Sequence, residues 1–147
     1  MQKLRQYCAY QERCHAEVKE KLYSFGLHRN EVDESIAQLI EENYLNEERF
    51  AIHFAGGKFR MKQWGRVKIK YALKQKQISE YCIRKAMKEI NEDDYVATLQ
   101  KLSAEKWRTL RSEKNKFIKM RKTRDFLLQK GYETDLVNQA VKALTVD

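Results

Sequence analysis

The sequence predicts an all-α fold, built as three tandem three-helix repeats that form an elongated, curved helical array. The chain of 147 residues contains no proline and only five glycines, a composition that favours helices over other structure. Charged residues make up 35% of the chain, which suits thin helical units whose long Lys and Arg stems cover apolar area. The third and strongest observation is an apolar spacing that recurs along the chain.

This recurring spacing is measured from Gly26, Gln77 and Gly131. A leucine lies four residues before each position, and further apolar residues lie six, ten and thirteen residues after it. Spacings of three and four place such side chains on one stripe of a helix. The members are Leu22, Val32, Ile36 and Leu39, then Leu73, Ile83, Met87 and Ile90, then Leu127, Val137, Val141 and Leu144. A pattern that recurs in this way predicts an array of similar units.

The first repeat is expected to cover residues 1–44. Its helices are predicted at about 2–11, 14–25 and 30–43. The second of these ends at Gly26, because glycine readily adopts the left-handed conformation of a helix end.

The second repeat is expected to cover residues 45–91. Asn46 can cap the free amides of its first helix, and Glu47 and Glu48 favour the positive end of the helix dipole. Ser79 is the expected N-cap of its third helix. The helices are predicted at about 47–62, 66–76 and 80–90.

The third repeat is expected to cover residues 92–147. It begins with a long basic helix at about 93–116, followed by helices at about 119–130 and 134–144. Gly131 separates the last two helices, as Gly26 does in the first repeat.

The net charge of +9 is unevenly distributed along the chain. Residues 1–57 contain 7 basic and 10 acidic side chains, whereas residues 58–88 contain 11 basic side chains and the single acid Glu80. Residues 101–130 contain 11 basic and 3 acidic side chains. Such asymmetry indicates a polyanion or an acidic protein groove as the partner, although a merely solvated basic face is also consistent with it.

The predicted binding residues are the cations of these two basic segments. In the second repeat they alternate with Phe59, Trp64 and Tyr71, a mixture that suits phosphate contacts with flanking base stacking. Core packing is nevertheless the more common role of residues such as Trp64 and Tyr71. The predicted set is Lys58, Arg60, Lys62, Arg66, Lys68, Lys70, Lys74, Lys76, Arg108, Arg111, Lys114, Arg121, Lys122 and Arg124.

Patterns typical of catalysis or of metal binding do not occur in the sequence. Cys8, Cys14 and Cys82 form no C-x-x-C pair, and an odd number of cysteines argues against disulfides. Neither a glycine-rich phosphate loop nor a nucleophile motif is present, and no apolar run approaches the roughly 20 residues of a membrane span. We therefore predict a cytoplasmic, monomeric protein that is not an enzyme and has no cofactor.

Four segments, in order along the chain, resemble the RecX family of regulators of the bacterial recombinase RecA. The segment 44–51, YLNEERFA, is similar to the family motif Y-L-D-D-x-R-F-A and is the most specific match. Residues 11–22 resemble the motif R-E-H-S-x-x-E-L-x-x-K-L, and residues 121–135 resemble R-K-x-x-x-F-L-x-x-(R/K)-G-(F/Y)-x-x-D. The run G-x-x-x-I-x-x-x-L-x-x-x-x-I is matched by Gly65, Ile69, Leu73 and Ile78.

The chain departs from the family pattern at three positions. Gln11 stands where arginine is usual, so a contact made by that arginine does not carry over. Cys14 replaces a capping serine, and since a thiol caps poorly we expect a less stable start of the second helix. Gln77 replaces a glycine, which predicts a helix end that is either more strained or longer.

The resemblance implies three tandem three-helix units and a role in regulating RecA. It implies binding in the helical groove of the RecA filament on DNA, restraint of ATP hydrolysis, strand exchange and co-protease activity, and weak binding to single- and double-stranded DNA. The sequence is also compatible with two other functional hypotheses. One is a general DNA-binding helical module that acts indirectly on recombination. The other is a helical adaptor without nucleic-acid contact, against which the two basic segments count.

Overall fold

A computed structural model describes residues 1–146, and within this range the chain forms nine α-helices and no strand. The all-α prediction is confirmed. The helices are α1 (Gln2–Tyr10), α2 (His15–Ser24), α3 (Arg29–Glu41), α4 (Glu47–Lys62), α5 (Arg66–Gln75), α6 (Glu80–Lys88), α7 (Glu92–Thr109), α8 (Lys116–Lys130) and α9 (Thr134–Leu144).

The helices are distributed over two compact units. The first unit comprises Met1–Phe54 and Leu73–Met87, and the second comprises Ala55–Ala72 together with the chain from Lys88 onward. Each unit therefore contains two separate stretches of the chain. The division into three repeats at residues 1–44, 45–91 and 92–147 stays a prediction.

The first unit contains a core formed by α1, α2 and α3. Its members are mostly the apolar residues that the helical periodicity predicts. Partly buried Tyr7, Leu27 and Tyr44 pack against this core. The core residues are Leu4, Cys8, Val18, Leu22, Val32, Ile36, Leu39 and Leu45.

The second unit has a core that is rich in aromatic rings. The ring centroid of Tyr95, from α7, lies 5.8 Å from that of Phe59 and 5.1 Å from that of Tyr132. Tyr95 and Tyr132 are both buried, together with Leu127 and Val137. Tilted aromatic pairs at such distances add to the stabilisation that burial alone provides.

The three reference positions of the apolar repeat share one backbone conformation. Gly26 has a φ angle of 81°, Gln77 of 63° and Gly131 of 102°. At the second and third positions the following amide closes the helix end by donating to the leucine carbonyl of the stripe, from Ile78 to Leu73 and from Tyr132 to Leu127. The stripes are buried apart from Met87 and Leu144, which are partly buried. The predicted register of the repeat is confirmed.

The prediction that the seventh helix extends to about residue 116 is wrong. Helix α7 ends at Thr109, and α8 begins at Lys116. Asn115 explains the new start, because its Oδ1 accepts hydrogen bonds from the amides of Phe117 at 3.0 Å and Ile118 at 3.2 Å. A side chain that caps a helix in this way competes with continuation of the preceding helix.

Candidate binding surface

The start of α5, which carries many of the predicted cations, is joined end to end with the end of α8 in the second unit. The amide of Gly65 donates to the carbonyl of Lys130 at 2.8 Å, and the amide of Val67 donates to the carbonyl of Gly131 at 2.9 Å. The first amides of a helix and the last carbonyls of another are otherwise unpaired and carry opposite partial charges. The junction therefore satisfies both ends and fixes the direction in which α5 begins.

Two further contacts hold this junction together. The hydroxyl of Tyr132 donates to the carbonyl of Gln63 at 2.9 Å, and Lys130 Nζ donates to the carbonyl of Lys62 at 3.2 Å. A Cβ atom placed on Gly65 would lie 2.3 Å from the carbonyl carbon and oxygen of Gly131. This close approach of two backbones requires glycine at position 65.

A polar cluster around the buried Tyr95 anchors Arg66, the first residue of α5. The hydroxyl of Tyr95 accepts a hydrogen bond from the Arg66 amide at 2.9 Å and donates to Glu133 Oε1 at 2.5 Å. The Arg66 guanidinium forms ion pairs with Glu92 at 2.9 Å and with Glu133 at 2.8 Å, and its central carbon lies 3.9 Å from the centroid of the Tyr95 ring. Burial, followed by the hydrogen bond to Glu133, raises the pKa of Tyr95 above its ordinary value. The hydroxyl therefore stays protonated and continues to donate.

Trp64 lies just before α5 and is flanked by two lysines. Lys58 Nζ is 5.0 Å and Lys68 Nζ is 4.6 Å from the centroid of its ring, distances at which an ammonium group is attracted by an indole face. Trp64 is partly buried, whereas Tyr71 is 64% exposed. Core packing is thus the wrong expectation for Tyr71.

A second group of cations and aromatic rings belongs to α7 and α8. Lys119 Nζ lies 4.1 Å from the centroid of the Trp107 ring, and Lys106 Nζ lies 5.1 Å from that of Phe126. Phe117, on the first turn of α8, is 81% exposed. The sequence did not single out Phe117, because its exposure depends on where α8 begins.

The predicted cations are concentrated in one unit. All of them except Lys74 and Lys76 belong to the second unit. The exposed members are Arg60, Lys62, Lys70, Lys74, Arg108, Arg111, Lys114, Arg121 and Lys122, and the partly buried members are Lys58, Arg66, Lys68, Lys76 and Arg124.

Carboxylates lie close to several of these cations. Lys74 is 3.6 Å from Glu80, and Lys122 is 3.7 Å from Glu113. Exposed pairs of this kind contribute little energy and exchange readily for other partners. Arg66 differs, because its two carboxylates hold it in the cluster with Tyr95. Sequence reasoning did not detect this cluster, since its members come from residues 66, 92, 95 and 133.

The surroundings of the three cysteines are those of buried core residues and not of reactive thiols. Cys8, Cys14 and Cys82 are buried and free, and burial raises the pKa of each thiol. At the start of α2, Glu17 accepts a hydrogen bond from the Cys14 amide at 3.0 Å. The lower stability of this helix start stays a prediction.

Residues 1–146 contain no group of three or more His, Cys, Asp or Glu side chains that could hold a metal ion. In the same part of the chain, no helix is both long and apolar enough to span a membrane.

Comparison with protein-family profiles places both basic segments in one family. Residues 46–87 match the profile of the second three-helix domain of RecX, and residues 92–141 match that of the third three-helix domain. The chain belongs to the RecX family. The family resemblance seen in the sequence motifs is thereby confirmed.

Curated relatives agree with this assignment. The regulatory protein RecX of Clostridium perfringens (strain 13 / Type A) is 35% identical over 130 residues, which cover 88% of this chain and 60% of that protein. The regulatory protein RecX of Clostridium tetani is 31% identical over 129 residues. This RecX-family chain thus spans about 60% of the length of these relatives. Both relatives are named as regulatory proteins and not as enzymes.

Solved structures show the same fold. The crystal structure of RecX from Lactobacillus salivarius has a TM-score of 0.87 and 24% identity, and it covers 97% of this chain and 92% of that one. A second structure, of a regulatory protein RecX, has a TM-score of 0.83 and 20% identity over 94% of this chain and 67% of that one.

Proposed function

We propose that this chain binds the filament that a RecA recombinase forms on DNA and regulates it, mainly by inhibiting ATP hydrolysis, strand exchange and co-protease activity. It acts as a monomer in the cytoplasm, in DNA repair and recombination. The observation that carries the proposal is that the two matched RecX domains contain all the predicted binding cations.

The distribution of charge supports different binding roles for different parts of the chain. Residues 58–88 and 101–130 carry a large excess of positive charge, whereas residues 1–57 carry a small negative excess. The basic segments provide long-range attraction toward acidic protein surface and nearby phosphates. The acidic first repeat makes a different contact.

Capture on beads tests the proposal. Single-stranded DNA fixed to beads is either coated with the cognate RecA and a slowly hydrolysed ATP analogue or left bare, and the full chain is added at near-physiological salt. We expect the RecA-coated beads to retain the chain at concentrations at which beads with bare DNA of the same length do not. Equal retention on both kinds of bead would contradict a filament-directed role.

The second candidate function is a general DNA-binding helical module that affects recombination indirectly. The charge of residues 58–88, with 11 basic side chains against the single acid Glu80, favours it, because such an excess suits phosphate contacts that do not depend on sequence. A general binder needs amounts close to those that coat the DNA, whereas a filament regulator acts far below them. The dependence of inhibition on the ratio of protein to DNA therefore separates the two functions.

A further inference from the structure

Phe117 is a large apolar side chain held in an exposed position. It is 81% exposed, although phenylalanine is among the residues most often buried. Its amide donates to Asn115 Oδ1 at 3.0 Å, and it belongs to the first turn of α8. The ring therefore projects from an ordered helix start and not from a loose terminus.

The surroundings of Phe117 are strongly basic. Lys119 Nζ is held 4.1 Å from the centroid of the Trp107 ring. Glu113 is the one acid within four residues of Phe117, and its carboxylate accepts a hydrogen bond from the Asn115 amide at 3.1 Å. The cations within the same four residues are Lys114, Lys116, Lys119 and Arg121.

This combination fits a single-stranded nucleic acid better than a protein surface. A protein-docking surface presents a contiguous apolar patch, whereas the residues beside Phe117 at positions 114, 116 and 121 are exposed cations. An exposed ring among cations matches a strand whose bases stack and whose phosphates need counter-charges. In a duplex the faces of the bases are already stacked, which leaves the ring without a partner.

Trp64 is less suited to the same task. Lys58 and Lys68 already lie 5.0 Å and 4.6 Å from the centroid of its ring. A base that stacked on Trp64 would have to displace an ammonium group from an indole face.

We propose that the connection between α7 and α8 is a single-stranded nucleic-acid contact, in which Phe117 stacks on one base while Lys114, Lys116, Lys119 and Arg121 pair with the flanking phosphates. This proposal rests on the proposed function only in that the filament brings the chain close to DNA. The contact itself is formed with bare nucleic acid and does not require RecA.

The test measures binding of the full chain to a fluorescent oligothymidylate of about 20 nucleotides by anisotropy, over a series of salt concentrations. We expect Phe117→Ala to weaken binding about tenfold without changing the salt slope, because a stacking contact is lost and no charge is changed. Phe117→Trp should restore binding. Lys116→Gln should weaken binding and also reduce the slope, because one phosphate contact is removed.

Tyr10→Ala is the matched control, since Tyr10 is an aromatic residue of the first unit with a similar exposure of 83%. It should bind like the unaltered chain. The proposal is overturned if Phe117→Ala binds as tightly as the unaltered chain, or if Tyr10→Ala loses as much affinity. It is also overturned if Phe117→Ala impairs only the inhibition of RecA, which would assign the ring to a protein contact. A chain that inhibits RecA but does not bind the oligonucleotide overturns this inference and leaves the proposed function intact.

Discussion

Gly26, Gln77 and Gly131 occupy the same position in the apolar repeat, and each has a positive φ angle. An L-residue with a side chain pays a steric cost in this left-handed region, which glycine avoids. Gln77, with a φ angle of 63°, therefore carries strain where the other two copies do not. Of the two outcomes expected for Gln77, the strained one is confirmed, because α5 ends at Gln75 and is not lengthened.

Replacing Gln77 with glycine should stabilise the protein. We expect Gln77→Gly to raise the free energy of unfolding by about 0.5–1 kcal/mol, since the left-handed cost exceeds the added flexibility of the unfolded chain. Urea unfolding followed by circular dichroism measures the change. Gln100→Gly is the control: Gln100 is exposed within α7, so glycine there should lower stability by about 1 kcal/mol. A destabilised Gln77→Gly variant would refute the strain at this position.

A surface ion pair of the first unit makes a pH-dependent contribution. Arg5 Nε and Nη2 donate to the two oxygens of Glu42 at 2.8 Å and 2.9 Å, and Gln38 donates at 3.1 Å. These hydrogen bonds, that from Arg5 above all, lower the pKa of Glu42 from 4.5 to about 2. The pair therefore contributes stability above pH 4.5, and this contribution is lost as the pH falls toward 2.

Removal of Arg5 should return the pKa of Glu42 toward its ordinary value. In Arg5→Met, we expect the pKa of Glu42 to rise most of the way to 4.5, with the remaining difference due to Gln38. An NMR titration of the Glu42 side chain measures it. Arg29→Met, which changes an exposed arginine of the same unit, should leave the value near 2. If Glu42 still titrates near 2 in Arg5→Met, the bidentate pair is not its cause.

At the scale of helices, the second unit depends on how the end of α8 meets the start of α5. The amides of Gly65 and Val67 reach the carbonyls of Lys130 and Gly131 only because the two backbones are in contact. The same contact places Arg66 beside Tyr95 and Glu133. The direction of α5, and with it the placement of its cations, follows from this junction.

A single methyl group at position 65 should weaken the junction. Because its Cβ would meet the backbone of Gly131 at 2.3 Å, we expect Gly65→Ala to lower the free energy of unfolding by about 1–3 kcal/mol. Gly57→Ala is the matched control, since Gly57 lies inside α4 and its Cβ would have nothing within 4 Å. That change should raise stability by up to about 1 kcal/mol. Thermal unfolding of both variants gives the comparison, and equal stability of the two would contradict the role of the junction.

The helical periodicity predicted the nine helices found within residues 1–146 and their buried stripes, because both depend on local spacing. The end of α7 was predicted wrongly because the apolar and basic pattern continues to Lys116, whereas the Asn115 cap begins a new helix at Lys116. Arg66 was grouped with the binding cations by its charge alone. Its carboxylate partners, Glu92 and Glu133, are distant in sequence and come close only through the fold. The role of Arg66 toward a polyanion stays a prediction.

At the scale of the whole molecule, the proposed binding depends on the uneven distribution of charge. Two strongly basic segments, residues 58–88 and 101–130, outweigh the acidic excess of the other stretches and give the net charge of +9. Long-range attraction depends on these segments and falls as salt screens them. In the proposed complex, the contacts that fix the position of the chain in the filament are expected to depend less on salt.

Reversing charge on α5 should weaken binding to the filament. We expect the triple change Lys68→Glu, Lys70→Glu and Lys74→Glu to raise the Kd for RecA filaments at least about tenfold at low salt and to flatten its salt dependence. The control makes the same change in net charge at the exposed residues Lys3, Arg29 and Lys142. Filament binding by fluorescence anisotropy should be nearly unchanged in the control. If the α5 variant has a normal helical circular dichroism spectrum and still inhibits RecA as the unaltered chain does, the basic surface of α5 is ruled out as a filament contact.

The most direct test of filament regulation is the single-strand-dependent ATP hydrolysis of the cognate RecA, with this chain titrated in at near-physiological salt. We expect hydrolysis to be lost at amounts of the chain well below those needed to cover the DNA. Unimpaired hydrolysis, together with measurable binding of the chain to bare DNA, would contradict regulation of the filament and favour the general DNA-binding module.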